Sequence, residues 1–307
     1  MNMQSLNLKP SELLRRKFTT FNRFFAFLIF TLFIGSCTTE VEIEWKDESQ
    51  KYVVNCLLNP DEPMKLYALK TSPILDDTTF FADGLDVEIY KNENLAWSGS
   101  GTGQGEYPIT VDAEGGAKFK IILKDKNGLT ISAEDSVPQH IYISNATYLF
   151  PVYEDIYGSK FGKVSLSFQD DAKVKNYYEI VILGKDSNIN QTFNITSRII
   201  TLDSEHDPNF PGTILFTDEL FNGQQLDLNI FVNSYNTPII VLKNVSRNYY
   251  EYRKSLEAHF YNQNVDRENI YELFKGDPVE LYSNVTNGLG IFAGYTQDIK
   301  KCTLINN

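Results

Sequence analysis

Beyond residue 50 the chain runs in short segments where apolar and polar side chains alternate, or where a few apolar residues stand together, each closed by turn-forming residues. The first such segments are Lys51–Leu58, Met64–Lys70, Leu85–Lys91, Asn94–Ser98, Lys118–Lys124 and Leu129–Asp135. Successive strand side chains point to opposite faces, so this period of two predicts half-buried antiparallel strands. Their close spacing predicts a mainly β fold that opens with an immunoglobulin-like β-sandwich. The separators carry turn chemistry, as in Asn59-Pro60-Asp61-Glu62-Pro63 and Asp83-Gly84. Asn127-Gly128, set between Ile121–Lys126 and Leu129–Ala133, predicts a hairpin closed by a type I′ turn, which needs positive φ at both central residues. Ser98-Gly99-Ser100-Gly101-Thr102-Gly103-Gln104-Gly105 reads as a flexible hairpin connection. It lacks the Lys-Ser/Thr ending of a phosphate-binding loop, and no helical pattern follows it.

The pattern pauses at Pro138-Gln139-His140, which predicts a boundary between a sandwich at residues 51–137 and a second β-rich domain at 138–307. Strands are expected there at Val164–Phe168, Tyr177–Gly184, Gln191–Ile200, Thr213–Phe216, Gln225–Val232 and Ile239–Leu242. One segment changes period. Residues 248–262 place Tyr249, Tyr252, Leu256, His259 and Phe260 at helical spacing, with Asn248 and Glu251 spaced as a capping pair. They predict a single amphipathic helix laid against the second domain.

The N-terminus follows a different rule. Lys9, Arg15, Arg16, Lys17 and Arg23 oppose a single acid, Glu12, and are followed by the apolar run from Phe24 to Ile34. That run is too short to cross a hydrocarbon core, which takes about 20 helical residues, so it reads as the apolar region of an export signal. Ile34-Gly35-Ser36-Cys37 then resembles a bacterial lipobox. The expectation is a signal at residues 1–36, a diacylglyceryl group on the Cys37 sulfur, and an acidic tether over residues 37–50. No other segment holds 18 consecutive apolar residues, so the membrane attachment expected is by lipid alone.

Loss of residues 1–36 removes five bases and one acid, which takes the formal charge from −12 to about −16 and makes nucleic acid an improbable partner. Once Cys37 is acylated, Cys56 and Cys302 remain. They are spaced for a disulfide only if folding joins the two ends of the chain; the alternative is that Cys56, inside an apolar run, is simply a small buried residue. Asp203, Glu205, His206 and Asp207 form an oxygen-rich loop of the kind that can hold calcium, but the spacing departs from the calcium-loop pattern, and a solvated acidic turn is the better account. Asp76-Asp77 and Asp170-Asp171 are read as ordinary acidic pairs. No Gly-x-Ser-x-Gly elbow, His-Glu-x-x-His or Cys-x-x-Cys is present. No catalytic residue, cofactor or metal ligand is therefore assigned, and the expected role is not enzymatic.

The segment from Pro278 to Tyr295, with Gly288, Gly290 and Gly294 among Leu289, Ile291 and Phe292, is the most distinctive in the chain. Together with the Tyr-rich helix and the lipobox, it resembles the Bacteroidota lipoprotein family labelled domain of unknown function 4249, over nearly the whole chain. Read physically, the three glycines predict a bulged or sharply bent strand that completes a sheet. The resemblance implies an outer-membrane accessory lipoprotein partnered with a TonB-dependent barrel, and it brings no catalytic residues. The acids Glu40, Glu42 and Glu44 resemble signals that send such lipoproteins to the outer face of the membrane. A surface adhesion or structural module without a barrel partner, and less readily a hydrolase, remain as alternatives.

Overall fold

The computed structural model describes residues 49–73, 78–101, 103–184, 194–195, 213–263 and 279–305. The signal, Cys37, nearly all of the tether and the Asp203–Asp207 loop lie outside these residues. In chain order the strands are β1 (Tyr52–Leu58), β2 (Lys65–Lys70), β3 (Phe80–Phe81), β4 (Asp86–Lys91), β5 (Asn94–Ser100), β6 (Glu106–Tyr107), β7 (Lys118–Lys124) and β8 (Thr130–Ser136). They continue as β9 (Ile143–Glu154), β10 (Lys160–Gln169), β11 (Tyr177–Leu183), β12 (Asn194–Ile195), β13 (Thr213–Thr217), β14 (Gln225–Val232) and β15 (Ile239–Val245). Helix α1 (Arg247–Gln263) follows, then β16 (Leu289–Lys301) and β17 (Thr303–Ile305). Among the described residues no helix is long and apolar enough to cross a membrane.

The strands form three sheets. One runs β13-β11-β15-β16-β1-β2-β3, with β6 beside β2; a second runs β12-β14-β10-β9-β17; a third runs β5-β4-β7-β8. The fold is mainly β and sandwich-like, as the period of two predicted. Val54, Cys56 and Leu58 of β1, Val87 and Ile89 of β4, and Phe119, Ile121 and Leu123 of β7 turn inward on alternate positions and share one core. A second core joins β9, β10, β11, β14 and β15 through residues such as Tyr148, Val164, Leu166, Phe168, Ile180 and Leu228.

The first sheet crosses the boundary drawn near residue 138. Leu289 to Gly294 of β16 pair in parallel with Val53 to Leu58, and Tyr295 to Lys301 pair antiparallel with Val245 to Ile239. One strand thus serves both halves of the chain, and Val285 and Phe292 enter the first core. The glycines make this possible. Gly290 has φ +110°, and a Cβ there would lie 2.1 Å from the Val54 carbonyl oxygen; one on Gly294 would lie 2.6 Å from that of Ser136. Other strands pack both their faces. Ile240, Val241, Leu242 and Val245 of β15 are all buried, because the second core covers one side and α1 the other.

Three local expectations are corrected. The β7–β8 hairpin forms, but positive φ occurs at Gly128 and not at Asn127. The Gly128 N–H donates to the Asp125 carbonyl (3.1 Å) and the Asp125 N–H to Leu129 (3.0 Å), so the closure is a type I turn with a glycine bulge. Asp125 decides this: its carboxylate accepts from the N–H groups of Asn127 (2.9 Å) and Leu129 (2.8 Å). The glycine-rich stretch after Ser98 is not a hairpin connection. It carries the chain from β5 in the third sheet to β6 in the first, where the Gly105 carbonyl accepts from Ala68 (2.8 Å). Finally, α1 is capped by Ser246, whose hydroxyl accepts from the Tyr249 N–H (3.1 Å), rather than by Asn248.

Candidate functional site

The outward faces of β4, β7 and β8 line a groove of about 810 Å³. Register sets its walls: Tyr90 lies opposite Lys120, Lys120 opposite Glu134, and Lys118 opposite Ser136. Ile89, Ile121 and Ala133, on the opposite pleat, are buried in the core. The start of α1 closes one side. There the Asn248 amide donates to the Glu134 carbonyl (3.4 Å) and accepts from the Tyr282 hydroxyl (2.7 Å). Asp135 also lines the groove, and its carboxylate accepts from the Ser246 hydroxyl and the Gly294 N–H. Burial pushes that carboxyl up, partly offset by these donors. Lys118 and Lys120 make no ion pair with the described residues, and they line the groove together with Tyr90 and Ile122 and with the acids Glu93 and Glu134. The volume falls within the ~300–1,000 Å³ usual for small-ligand sites.

Two buried polar clusters serve the fold instead. In the first, Glu179 of β11 accepts from Lys243 (2.7 Å), Arg253 (3.0 Å) and the Tyr249 hydroxyl (2.7 Å), and Arg253 reaches Glu257 one turn along α1 (3.4 Å). Burial raises the Glu179 carboxyl, but the charges of Lys243 and Arg253 outweigh it and hold the group below its ordinary value. This cluster shifts the buried face of α1. Tyr249, Tyr250 and Glu257 are buried, whereas Phe260, expected on the apolar stripe, is 40% exposed. In the second cluster Asp170 accepts from the Tyr178 hydroxyl, the Asn176 amide (3.2 Å) and the Gly223 N–H (2.6 Å). Asp218 accepts from the Asn176 N–H (2.7 Å) and clamps the same turn. Each carboxylate is occupied by donors from its own fold.

Cys56 and Cys302 are both buried and free, so the structure does not join them. Burial pushes the Cys56 thiol up to about 12 and that of Cys302 to about 11, which makes both poor nucleophiles at neutral pH. His259 Nδ1 lies 2.8 Å from the Val279 carbonyl, and the His140 ring lies against that of Tyr142, centroids 4.1 Å apart and planes tilted by 34°. Among the described residues no group of three or more His, Cys, Asp or Glu side chains is placed to hold a metal. His206, Asp76 and Asp77, like Asp203–Asp207, lie outside the described residues.

Besides the short strands β3, β6 and β17, sequence reasoning missed two features. One is Glu179, a lone acid inside the strand Tyr177–Leu183, whose isolation among apolar residues was the available signal. The other is β9, whose segment Leu149-Phe150-Pro151-Val152-Tyr153 had no alternation to mark it as a strand.

A family model described as domain of unknown function (DUF4249) matches residues 38–301. The chain belongs to this family. The match spans every described strand but β17, together with α1, and it begins one residue after Cys37. No curated protein matches the chain.

Proposed function

We propose that this DUF4249 protein is an outer-membrane lipoprotein, anchored through Cys37 and facing the cell exterior, that serves a TonB-dependent barrel as a non-catalytic accessory in ligand capture. The groove over β4, β7 and β8 is the observation that carries ligand capture, since it joins an open concave surface to an aromatic ring and two cations that have no acidic partner among the described residues. The start of the family match at residue 38 supports removal of everything before Cys37. Barrel partnership rests on resemblance, and on the high effective concentration that confinement to one membrane gives even a weak contact.

Affinity purification of a tagged native copy in mild detergent tests the accessory role. The wild type is expected to bring down a TonB-dependent barrel and to take up a fatty-acid label. Cys37→Ser should do neither. Recovery of the acylated protein alone would favour the adhesion reading. Ligand capture has its own test, native mass spectrometry of protein released from its membranes. A small-molecule adduct is expected on the wild type and not on the Tyr90→Ala/Lys120→Ala variant; equal adducts on both, or none on either, would remove the groove from this role.

A further inference from the structure

Two hairpins of this chain close with the same turn and differ at its tip. In the β7–β8 turn the sequence is Asp125-Lys126-Asn127-Gly128, and in the β9–β10 turn it is Asp155-Ile156-Tyr157-Gly158. The hydrogen bonding is the same in both. The Asp155 N–H donates to the Ser159 carbonyl (3.0 Å) and the Gly158 N–H to the Asp155 carbonyl (3.1 Å), and Gly158 has φ +83°. The Asp155 carboxylate accepts from the N–H groups of Tyr157 (2.9 Å) and Ser159 (2.8 Å). Aspartate and glycine make the turn, so the two residues between them are free to vary. At one tip they are Lys and Asn, as suits a solvated loop. At the other they are Ile156, 92% exposed, and Tyr157, 87% exposed. Nothing in the folding of this turn calls for an apolar pair.

Val152 and Tyr153 behind the tip, and Leu304 and Ile305 of the edge strand β17, which lies against β9, are exposed as well. The backbone of the tip is preformed. Tyr153 stacks on Phe161 with centroids 4.8 Å apart and planes 2° from parallel, and the Asp155 carboxylate holds the N–H groups of Tyr157 and Ser159. A preformed tip loses little freedom when it docks. Charge selects the occupant: Glu154 and Asp155 precede the apolar pair, with Lys160 opposite Glu154, on a chain of formal charge −12, which opposes both an anionic lipid surface and a second copy of the same hairpin.

We propose that the β9–β10 hairpin is a docking finger, with Ile156 and Tyr157 as anchors inserted into an apolar cleft with a basic rim on a membrane-protein partner. This rests on the reading above that the chain acts beside a barrel. Aromatic anchors in desolvated pockets dominate binding, so their loss has a large effect. The test compares barrel recovery by quantitative mass spectrometry for tagged full-length wild type, Ile156→Ser/Tyr157→Ser, Glu154→Lys and Leu95→Ser. Leu95, 57% exposed on the distant β5, is the control. Recovery should fall at least tenfold in the double variant, fall in Glu154→Lys, and hold in Leu95→Ser, with melting temperatures unchanged because all four positions are on the surface. Undiminished recovery by the double variant would overturn the finger and leave the accessory role standing. Equal recovery by Glu154→Lys would overturn the basic rim. Absence of any barrel with the wild type would overturn both the finger and the accessory role. Unacylated Cys37→Ser protein that sediments with phosphatidylethanolamine–phosphatidylglycerol vesicles, and ceases to do so with the double variant, would reassign the tip to lipid and overturn the proposal.

Discussion

Gly290→Ala is expected to destabilise the protein by on the order of 3 kcal/mol, a large loss for the addition of one methyl group. Two costs combine. At φ +110° an L-residue is strained, and its Cβ would sit 2.1 Å from the Val54 carbonyl oxygen, inside the parallel pairing of β1 with β16. That oxygen belongs to a ladder and has nowhere to retreat. For a chain of this size the loss corresponds to a fall of roughly 6–12 °C in melting temperature. Gly128→Ala is the comparison. Its φ is +86°, but nothing lies within 4 Å of an added Cβ, so only the backbone cost applies, about 1 kcal/mol. Equal losses at the two positions in thermal melts would show that close approach to Val54 contributes nothing.

Glu179→Gln should cost about 3–5 kcal/mol, because it removes the counter-charge of Lys243 and leaves Arg253 with Glu257 alone, at a site where the Glu179 side chain is only 2% exposed. The surface pair Glu88–Lys124 sets the scale for comparison. Its side chains are 31% and 49% exposed, and Glu88→Gln should cost far less. Urea unfolding of the two variants separates these values. The substitution should also change the acid limb of stability. Glu179 titrates below its ordinary 4.5 in the folded chain, so its contribution is complete above pH 4.5 and is lost as pH falls through the lowered value. Asp135 and Asp218 act in the opposite sense. Burial raises both above 3.8, so they favour the folded state at acid pH and lose that contribution as pH rises through their raised values. The difference between wild type and Glu179→Gln therefore isolates the Glu179 contribution. It should shrink on acidification, and a constant difference from pH 7 down to pH 3 would contradict the ionic role assigned to this carboxylate.

These two sites hold different parts of the fold. Gly290 lets β16 pair with β1 of the first half of the chain, while Glu179 fastens α1 to β11 and β15, all of them beyond residue 138. The groove has Asn248 of that helix as one wall and lies beside Asp135, which accepts from the Gly294 N–H of β16. Its shape consequently depends on the strand exchange as well as on β4, β7 and β8.

The sequence by itself determined the elements whose signals are local. Strands β1, β2, β4, β5, β7 and β8 fall close to the alternating runs that predicted them, whereas no run marked the two-residue strands β3 and β6; α1 occupies the one segment of helical period. Of the glycines at 288, 290 and 294, from which a bulged or bent strand was expected, only Gly290 takes positive φ, and the pairings of β16 with β1 and β15 run without a register shift. The tertiary structure alone decided what depends on distant partners. Glu179 meets Lys243 across 64 residues and Arg253 across 74, and no spacing rule spans such gaps. For the same reason β16 looked from sequence like a strand of the C-terminal half, although its first six residues complete the sheet begun by β1. The apolar segment from Leu149 to Tyr157 could as well have been core; only the packed fold left Ile156 and Tyr157 in solvent, because the β9–β10 hairpin extends beyond the sheets that would have covered them. Pattern records which residues avoid water on average, and the fold decides which of them reach a partner inside the chain and which are left for a partner outside it.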